Sequence, residues 1–334
     1  MNRAGPEEPQ ARTVRGCRSH RAARLLRGAL ALAALAAAAG PAAAEPPLVE
    51  RARLELQPPG RPFTKLEIDN PLGDVRVEGH DKATIEIETR KQGPTEEALD
   101  RLHVSLTPNP DGTVRLTTTV DGGRELRSLA RGQVKLDLIV RAPRDARIEA
   151  ASSSGALEVQ NMDNGGDLDT ASGRIHVRNV SGELSTHSMS GPTQLTQVFG
   201  SVDAQTLSSQ IALDSIGGER LIASASDGKI AGRRVRSRNV ELTTVNGMIV
   251  LEGEAPLRSR VIVASIRGDI SLRLRRSGAA VVRARGTKVD LGAAHARTQP
   301  DGWIEAQFGQ HGSAMASLIE MRSRAGTVTF GIID

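Results

Sequence analysis

The middle of the chain is organised by a repeat of about 18 residues. In each repeat a small residue and a glycine precede a short stretch in which aliphatic and polar residues alternate. The first three spacings between glycine positions are 18 residues, and the next three are 19, 19 and 21. Self-similarity at a fixed period indicates a repeat architecture. The positions are Gly155, Gly173, Gly191, Ser209, Gly228, Gly247 and Gly268, and Gly286 lies 18 residues further on.

Two aliphatic columns follow the glycine positions. Because the residues between the columns are mostly polar, each repeat is predicted to open with a strand that buries one face. The first column, two residues after each glycine, is Leu157, Ile175, Thr193, Ile211, Ile230, Ile249 and Ile270. The second, four residues after, is Val159, Val177, Leu195, Leu213, Gly232, Leu251 and Leu272. A later apolar group in each unit begins at Leu168, Leu184, Val202, Leu221, Val240 and Val261.

Stacked repeats account for these columns better than hairpins do. A short unit with two strands cannot bury its own apolar face, whereas identical units stacked about 4.8 Å apart pile like residues into columns. The alternative is an antiparallel β-sandwich of hairpins. In such a fold the order of aliphatic and polar positions would reverse at every other strand. Since the columns keep their phase over six units, the sequence predicts an all-β parallel β-solenoid (β-helix) with rungs of about 18–20 residues.

The flanks carry the same alternation in a less regular form. Residues 45–150 are predicted to be an N-terminal β segment that leads into the regular solenoid of residues 151–292. Residues 94–102 are predicted to contain one short helix with Thr95 as its N-cap. Residues 293–334 are expected to hold an insertion and the last rungs.

Two irregular stretches divide these flanks further. Residues 121–131 are expected to be a loop, and residues 293–314 interrupt the repeat. Residues 319–321 and 326–330 then resume the alternation, so they are predicted to be strands of the solenoid.

Residues 1–44 have the order of a secretory signal peptide. They contain seven arginines against two glutamates, followed by an apolar run from Ala29 to Ala39, a Gly40-Pro41 break and three alanines. This order predicts cleavage after Ala44. The alternative is a membrane anchor, but eleven apolar residues are too few for a hydrocarbon core about 30 Å thick.

Removing the leader changes the charge and the cysteine content. The remainder has 44 − 7 = 37 basic and 39 − 2 = 37 acidic residues, so it is formally neutral and its composition gives no reason to expect nucleic-acid binding. The single cysteine, Cys17, lies in the leader, which excludes disulfides and cysteine-based zinc sites from the mature chain. Four Phe, one Trp and no Tyr argue against clefts walled by stacked aromatic rings.

Four motifs could carry chemistry, and each has a simpler structural interpretation. Arg267-Gly268-Asp269 spells an integrin-type tripeptide, but its glycine is the repeat glycine. The acidic, glycine-rich turn of residues 163–169 could hold Ca²⁺, yet it occurs once and lacks the spacing of calcium β-rolls. His176 and His187 are two histidines without a third ligand, which make a poor metal site. Asn179 begins a glycosylation sequon that we regard as a chance match.

A carbohydrate-active β-helix enzyme, either a polysaccharide lyase or a hydrolase, is the main catalytic alternative. Glycosidases need paired carboxylates at a fixed separation. The outward columns of the repeat are mixed, and no column is expected to gather two or three acids on adjacent rungs next to a basic residue in a way that packing does not explain. The sequence therefore predicts that the protein is not an enzyme, and it assigns no catalytic, cofactor-binding or metal-binding residue.

One outward column predicts a ladder of ion pairs. From Asp214 onward the charge in this column alternates in sign on every rung, so each charge should lie between two of opposite sign. We expect Glu252 to approach Arg233 or Arg273 within about 4 Å. The column, five residues after each glycine, is Gln160, Arg178, Thr196, Asp214, Arg233, Glu252 and Arg273.

The repeat motif and both of its flanks resemble one bacterial family. The unit formed by residues 172–177 (Ser-Gly-Arg-Ile-His-Val), the entry segment of residues 70–79 and the approach formed by residues 140–143 and 151–155 are similar to those of the bacterial "putative adhesin" family. Its members are exported β-strand-repeat proteins related in pattern to the head-GIN adhesin domain. The resemblance covers roughly residues 62–334 and implies a solenoid in the cell envelope without catalytic residues.

Together these observations predict a non-enzymatic, exported adhesin or envelope scaffold. The expected location is the periplasm or the cell surface. The expected partner is an envelope protein or a polysaccharide and not a nucleic acid, and no transmembrane segment is expected after signal cleavage.

The leader makes export testable. Protein isolated from the cell envelope should lack residues 1–44, because a signal peptide is removed during export. N-terminal sequencing checks this, and an envelope-associated chain that retains Met1 would contradict it.

Overall fold

The computed structural model describes residues 47–56, 63–121, 134–293, 295–309 and 316–333. These residues form 23 strands and one short helix. The predicted leader and nearly all of the predicted loop at residues 121–131 lie outside the described residues.

The elements before the regular repeat are β1 (Leu48–Leu56), β2 (Lys65–Asp69), β3 (Val75–His80), β4 (Ile85–Gly93), α1 (Glu96–Asp100), β5 (Leu102–Pro108), β6 (Thr113–Val120), β7 (Lys135–Pro143) and β8 (Arg147–Ser152). Those of the repeat are β9 (Leu157–Met162), β10 (Gly166–Thr170), β11 (Ile175–Ser188), β12 (Thr193–Thr206), β13 (Ile211–Ala225), β14 (Ile230–Asn246), β15 (Ile249–Ala255), β16 (Arg260–Arg267) and β17 (Ile270–Arg276). The last are β18 (Ala280–Arg285), β19 (Lys288–Asp290), β20 (Arg297–Thr298), β21 (Ile304–Phe308), β22 (Ser317–Ser323) and β23 (Thr327–Ile332).

The strands pair into one continuous sheet that bends back on itself. The long strands β11–β14 bend in the middle, so their first halves belong to one layer and their second halves to another. We call the layer that contains β9, β15, β17 and β23 sheet A, and the layer that contains β8, β10, β16 and β22 sheet B. Pairing within the repeat is parallel, and the buried faces of both sheets share one core. The predicted β-solenoid is confirmed.

The corner from sheet B to sheet A depends on a hydroxyl and a glycine three residues apart. The backbone N–H of Gly173 donates to Thr170 Oγ1 at 3.0 Å, and that of Gly191 donates to Ser188 Oγ at 2.9 Å. A Cβ on Gly191 would overlap the carbonyl oxygen of Gly173, and a Cβ on Gly173 would overlap that of Gly155. Glycine is required here because backbones of successive rungs approach closely.

The bend inside the long strands has a different basis, which the sequence analysis missed. On five successive rungs one residue adopts a left-handed conformation at the bend, with φ between 52° and 60°. Asparagine tolerates this region better than most residues, and Asn179 Nδ2 also donates to Asn161 Oδ1 on the preceding rung at 2.8 Å. The left-handed residues are Asn161, Asn179, Gln197, Ser215 and Arg234.

The two predicted aliphatic columns are buried and in register. Ile211 pairs with Ile230, Ile230 with Ile249, and Ile249 with Ile270. All four side chains are fully buried. The first column then continues to Val328 in β23, so residues 326–330 resume the repeat as predicted.

Two details of the predicted register are wrong. Leu168 pairs with Thr186 and not with Leu184, whose partner is Gly166. Gly286 does not follow Gly268 directly, because Gly326 occupies the next corner against the Gly268 carbonyl. Both errors arise because the number of residues per rung changes at these places. The local alternation of apolar and polar residues does not reveal such a change.

Each end of the solenoid contains an inserted rung. At the N-terminal end β2 lies between β6 and β8, and β3 lies between β7 and β9. At the C-terminal end β22 lies between β16 and β18, and β23 lies between β17 and β19. The chain therefore folds back at both ends before it completes the stack.

Antiparallel strands cover the two ends. β1 and β4 extend sheet A beyond β7, and β5 extends sheet B beyond β6. At the other end β21 pairs with β18, and β20 pairs with β21. Helix α1 joins β4 to β5, and Thr95 Oγ1 accepts its first-turn N–H from Ala98 at 3.2 Å, as predicted. Such caps reduce the length of open strand edge that could pair with another chain.

Replacing Ile230 by alanine should destabilise the protein by about 2–5 kcal/mol, because it leaves a cavity in the core. Gly232 on the same strand has no side chain to fill that space. The matched control is Val250→Ala on the neighbouring strand, where a half-exposed valine lies on the outer face. Chemical denaturation measures both variants, and equal losses would contradict the assigned register.

Candidate functional site

Three carboxylates lie on adjacent rungs of the outer face of sheet B. Glu67 in β2 pairs with Glu149 in β8, which pairs with Asp167 in β10. The pattern of the repeat does not reveal this grouping, because Glu67 is distant in sequence and reaches the column through the inserted strand β2. We call these three residues the acidic column.

Basic side chains neutralise the first two members of the acidic column. Lys65 Nζ lies 3.0 Å from Glu67 Oε1 and 2.6 Å from Glu149 Oε1, so it bridges them. Arg115 Nη2 lies 2.7 Å from Glu67 Oε2 on the other side. Each of these two carboxylates thus has a cation within hydrogen-bonding distance.

The third member is paired in the same way. Arg147 Nη2 lies 2.9 Å from Asp167 Oδ2, and Arg147 Nη1 lies 3.9 Å from Glu183 Oε2. Arg147 also lies directly opposite Lys65 in the register of β2 and β8. Every carboxylate of the acidic column therefore pairs with a cation on its own or a neighbouring rung, and we call these ion pairs the network.

The network shifts the pKa values in opposite directions. The hydrogen bonds donated by Lys65 and Arg115 hold the pKa of Glu67 below its ordinary value. The hydrogen bonds to Glu149 and Glu67 raise the pKa of Lys65. A general acid for glycoside cleavage needs a raised carboxyl pKa, so Glu67 is tuned away from that role.

The acidic column borders a shallow groove of about 670 Å³. The groove is lined by residues of the neighbouring outward column, in which Asp69 pairs with Ala151, Ala151 with Asp169, and Asp169 with His187. His187 Nε2 lies 3.1 Å from Ser185 Oγ. Among the described residues, no group of three or more His, Cys, Asp or Glu side chains is placed to hold a metal ion.

The two histidines singled out in the sequence do not come together. Both belong to β11, but His176 lies before its bend and His187 after it. His176 pairs with Glu158 and Gln194 on the outer face of sheet A. The two rings therefore lie on opposite outer faces.

Two carboxylates of the acidic turn at residues 163–169 pair with arginines. Asp163 Oδ2 lies 3.9 Å from Arg144 Nε, and Asp167 binds Arg147. The glycines in the turn, Gly165 and Gly166, both have positive φ. The composition of the turn is explained by its backbone shape and by these ion pairs.

The Arg267-Gly268-Asp269 tripeptide forms an ordinary corner. Gly268 packs on the Gly247 carbonyl in the glycine series. Arg267 Nε donates to Asn246 Oδ1 at 2.7 Å, and Asp269 Oδ1 accepts the N–H of Thr327 at 2.8 Å. Both charged side chains thus have partners within the solenoid, which supports the structural interpretation.

The predicted charge ladder forms in two separate pieces. Arg233 Nη2 lies 2.8 Å from Asp214 Oδ2, and Arg273 Nη1 lies 3.9 Å from Glu252 Oε2, as predicted. Within the described residues Arg233 and Glu252 make no ion pair. A register shift between Gly232 and Val235 separates them, so the prediction of continuous alternation is wrong at that step.

A family assignment follows from the sequence over most of this fold. Residues 63–296 match the model of the Toastrack family, DUF4097. The chain belongs to the Toastrack family. Its β-solenoid is the Toastrack fold, and the resemblance noted in the sequence is confirmed. No protein of curated description matches the chain in sequence.

Several solved structures are similar to this Toastrack protein. A "putative cell adhesion protein" from Clostridium sporogenes is 9% identical with a TM-score of 0.29, covering 86% of this chain and 100% of its own. A "putative adhesin" from Parabacteroides merdae is 10% identical with a TM-score of 0.41, covering 84% and 95%. A "Putative lipid binding protein" from Parabacteroides distasonis is 12% identical with a TM-score of 0.39, covering 84% and 96%. None of the described residues belongs to a helix long and apolar enough to cross a membrane.

Replacing Lys65 by methionine should raise the pKa of Glu67 towards its ordinary value, because the largest stabilising hydrogen bond is lost. The lowered pKa means that the Lys65–Glu67 pair stabilises the fold above the ordinary glutamate pKa. This stabilisation is lost as pH falls through the lowered value.

Carboxyl NMR titration measures the change in the pKa of Glu67. Lys91→Met, which breaks a pair with Glu50 in β1, is the control and should leave Glu67 unchanged. An unaltered Glu67 pKa in Lys65→Met would refute the network.

Proposed function

We propose that this Toastrack protein is an exported, non-enzymatic interaction or scaffold protein of the cell envelope, of the adhesin type. The signal-peptide order of residues 1–44 supports export. The absence of cysteine from residues 45–334 suits an oxidising compartment, since no thiol can be oxidised there.

The state of the acidic column carries the non-enzymatic part of the proposal. Its three carboxylates are the best catalytic candidates on the outer faces, yet each one binds a lysine or an arginine. Carboxylates that are paired with cations in this way serve as hydrogen-bond acceptors. A polar ligand with hydroxyl or amine donors, such as a polysaccharide, would find a ready-made recognition surface there.

The rigidity of the scaffold also supports a binding role. Side chains on the outer face are fixed by in-register strands, so their spacing repeats about every 4.8 Å along the stack. A pre-organised row of acceptors loses little entropy when a ligand binds. An extended partner could therefore make the same contact on several rungs.

A carbohydrate-active enzyme is the second candidate, and one observation favours it. Glu67, Glu149 and Asp167 lie on adjacent rungs beside a groove that also contains His187, which is the kind of arrangement that β-helix enzymes would use. The lowered pKa of Glu67 opposes it, because a carboxyl group held in its ionised form is not prepared to act as a general acid.

Purified protein should bind a class of polysaccharide on an array without cleaving it. Glu149→Gln should weaken that binding, because it removes one ionised acceptor of the acidic column. The matched control is Glu158→Gln on the outer face of sheet A, which should bind as the wild type does. A reducing-end assay on the same polysaccharides distinguishes the two candidates. Cleavage that is lost in Glu149→Gln would support the enzyme and contradict the proposal.

A further inference from the structure

Exposed apolar side chains gather along the corner from sheet B to sheet A. Met189, Leu207, Ile266 and Met248 are 58%, 51%, 46% and 41% exposed. Clustered exposure of large apolar residues marks an interaction surface, whereas single exposed residues need no explanation. We call the column two residues before the corner position the corner ridge; it consists of Ala171, Met189, Leu207, Ser226, Val245, Ile266 and Arg324.

Backbone hydrogen bonds between rungs hold the corner ridge in line. Ser208 N donates to Met189 O at 3.0 Å, and Asp227 N donates to Leu207 O at 2.8 Å. Further along, Ala325 N donates to Ile266 O at 3.1 Å. The ridge is therefore a rigid line of side chains, in which rungs follow one another at about 4.8 Å.

Three arginines surround the C-terminal end of the corner ridge. Arg285, Arg322 and Arg324 line a groove of about 590 Å³ together with Val245 and Ile266. We call these three residues the arginine groove. Throughout the described part of the chain, no carboxylate forms an ion pair with any of them, in contrast to the acidic column.

The register makes this cluster unfavourable in the free protein. Arg322 in β22 lies directly opposite Arg285 in β18. Like charges directly opposite each other on paired strands destabilise a sheet. Two adjacent, exposed and uncompensated guanidinium groups beside a groove therefore point to a bound anion.

The narrowness of the corner ridge favours a membrane over a protein partner. A line that offers one side chain per rung buries much less than the roughly 800 Å² per partner of a stable protein interface. The same line can insert into a lipid interface, where apolar side chains reach about 5–10 Å below the headgroups. Methionine, which fills irregular apolar surroundings, suits such an interface.

We propose that the corner ridge and the arginine groove attach this protein to the surface of a membrane that contains anionic phospholipids. Leu207, Ile266 and their neighbours enter the interface, while Arg285, Arg322 and Arg324 bind lipid phosphates through charge-assisted hydrogen bonds. Arg285 and Arg322 lie on β18 and β22 at the C-terminal end of sheet B, whereas the acidic column lies on β2, β8 and β10 at its N-terminal end, so the two surfaces share no residue.

Vesicle sedimentation tests the proposal with protein purified from the cell envelope. The protein should bind vesicles of phosphatidylglycerol and phosphatidylcholine but not vesicles of phosphatidylcholine alone, and salt should weaken binding. Arg322→Gln should weaken partitioning about fivefold, as expected for loss of one cation near an anionic surface. The Leu207→Ser, Ile266→Ser double variant should weaken it about tenfold or more.

Matched controls lie on other faces of the solenoid. Phe199→Ser removes an equally exposed apolar side chain, and Arg178→Gln removes an exposed cation from the outer face of sheet A; both should bind as the wild type does. Arg322→Gln should also unfold at a higher temperature than the wild type without lipid, because the repulsion with Arg285 is relieved.

Three outcomes would overturn the proposal. The first is the absence of binding to anionic vesicles at low salt. The second is undiminished binding by the Leu207→Ser, Ile266→Ser variant together with competition by inorganic phosphate, since the site would then bind a soluble anion. The third is a dimer in sedimentation equilibrium that the same double variant dissociates, since the ridge would then join two copies.

Discussion

The close stacking of backbone at the corner between the two sheets is the constraint on which the rest of the structure depends. A Cβ at Gly191 would overlap the carbonyl oxygen of the corner below it, so the chain can turn there only without a side chain. The hydroxyl three residues earlier completes the turn by accepting the N–H of the glycine.

Ser209 is the corner position at which the repeat has no glycine. A side chain occupies that corner, and the Thr206 hydroxyl is left buried without a hydrogen-bond partner. Because the corner fixes the height of each rung, it also fixes which residues face each other on the sheets.

That register explains how the ion pairs of the acidic column form. Sequence neighbours on one strand alternate between faces, so charges meet mainly across rungs. At the N-terminal end the inserted strand β2 brings Glu67 beside Glu149, and Lys65 then bridges the two. The bridging cation comes from the same strand as Glu67, two residues away on the same face. The pairing is thus a consequence of period two within a strand combined with parallel stacking between strands.

The regular part of the fold could be predicted from the sequence because each rung is specified by residues close together in the chain. Each rung repeats the glycine, the two aliphatic positions and the alternation, so the columns that contain Ile230 and Leu251 could be identified from spacing alone. Three features could not. The order of the terminal rungs depends on long-range pairing, which local pattern does not encode. The left-handed bend at Asn179 gives a weak signal, because residues as different as Gln197 and Arg234 occupy the same position. The acidic column combines both difficulties, since its first member reaches it through an inserted strand.

In the N-terminal half of sheet B the carboxylates of the acidic column are paired with cations, whereas in the C-terminal half two arginines form no ion pair with a described carboxylate. This difference in pairing indicates a binding site better than the number of charges does. In the N-terminal half Lys65 and Arg147 lie opposite each other, but each binds carboxylates of the acidic column. In the C-terminal half Arg322 and Arg285 lie opposite each other, and among the described residues neither forms an ion pair with a carboxylate. A fold that places like residues one above another can neutralise a cation with an acid on the next rung, as it does for Glu252 and Arg273. Where no acid lies on the next rung, the repulsion between the two cations weakens the sheet. A ligand that binds only the folded protein then restores the lost stability.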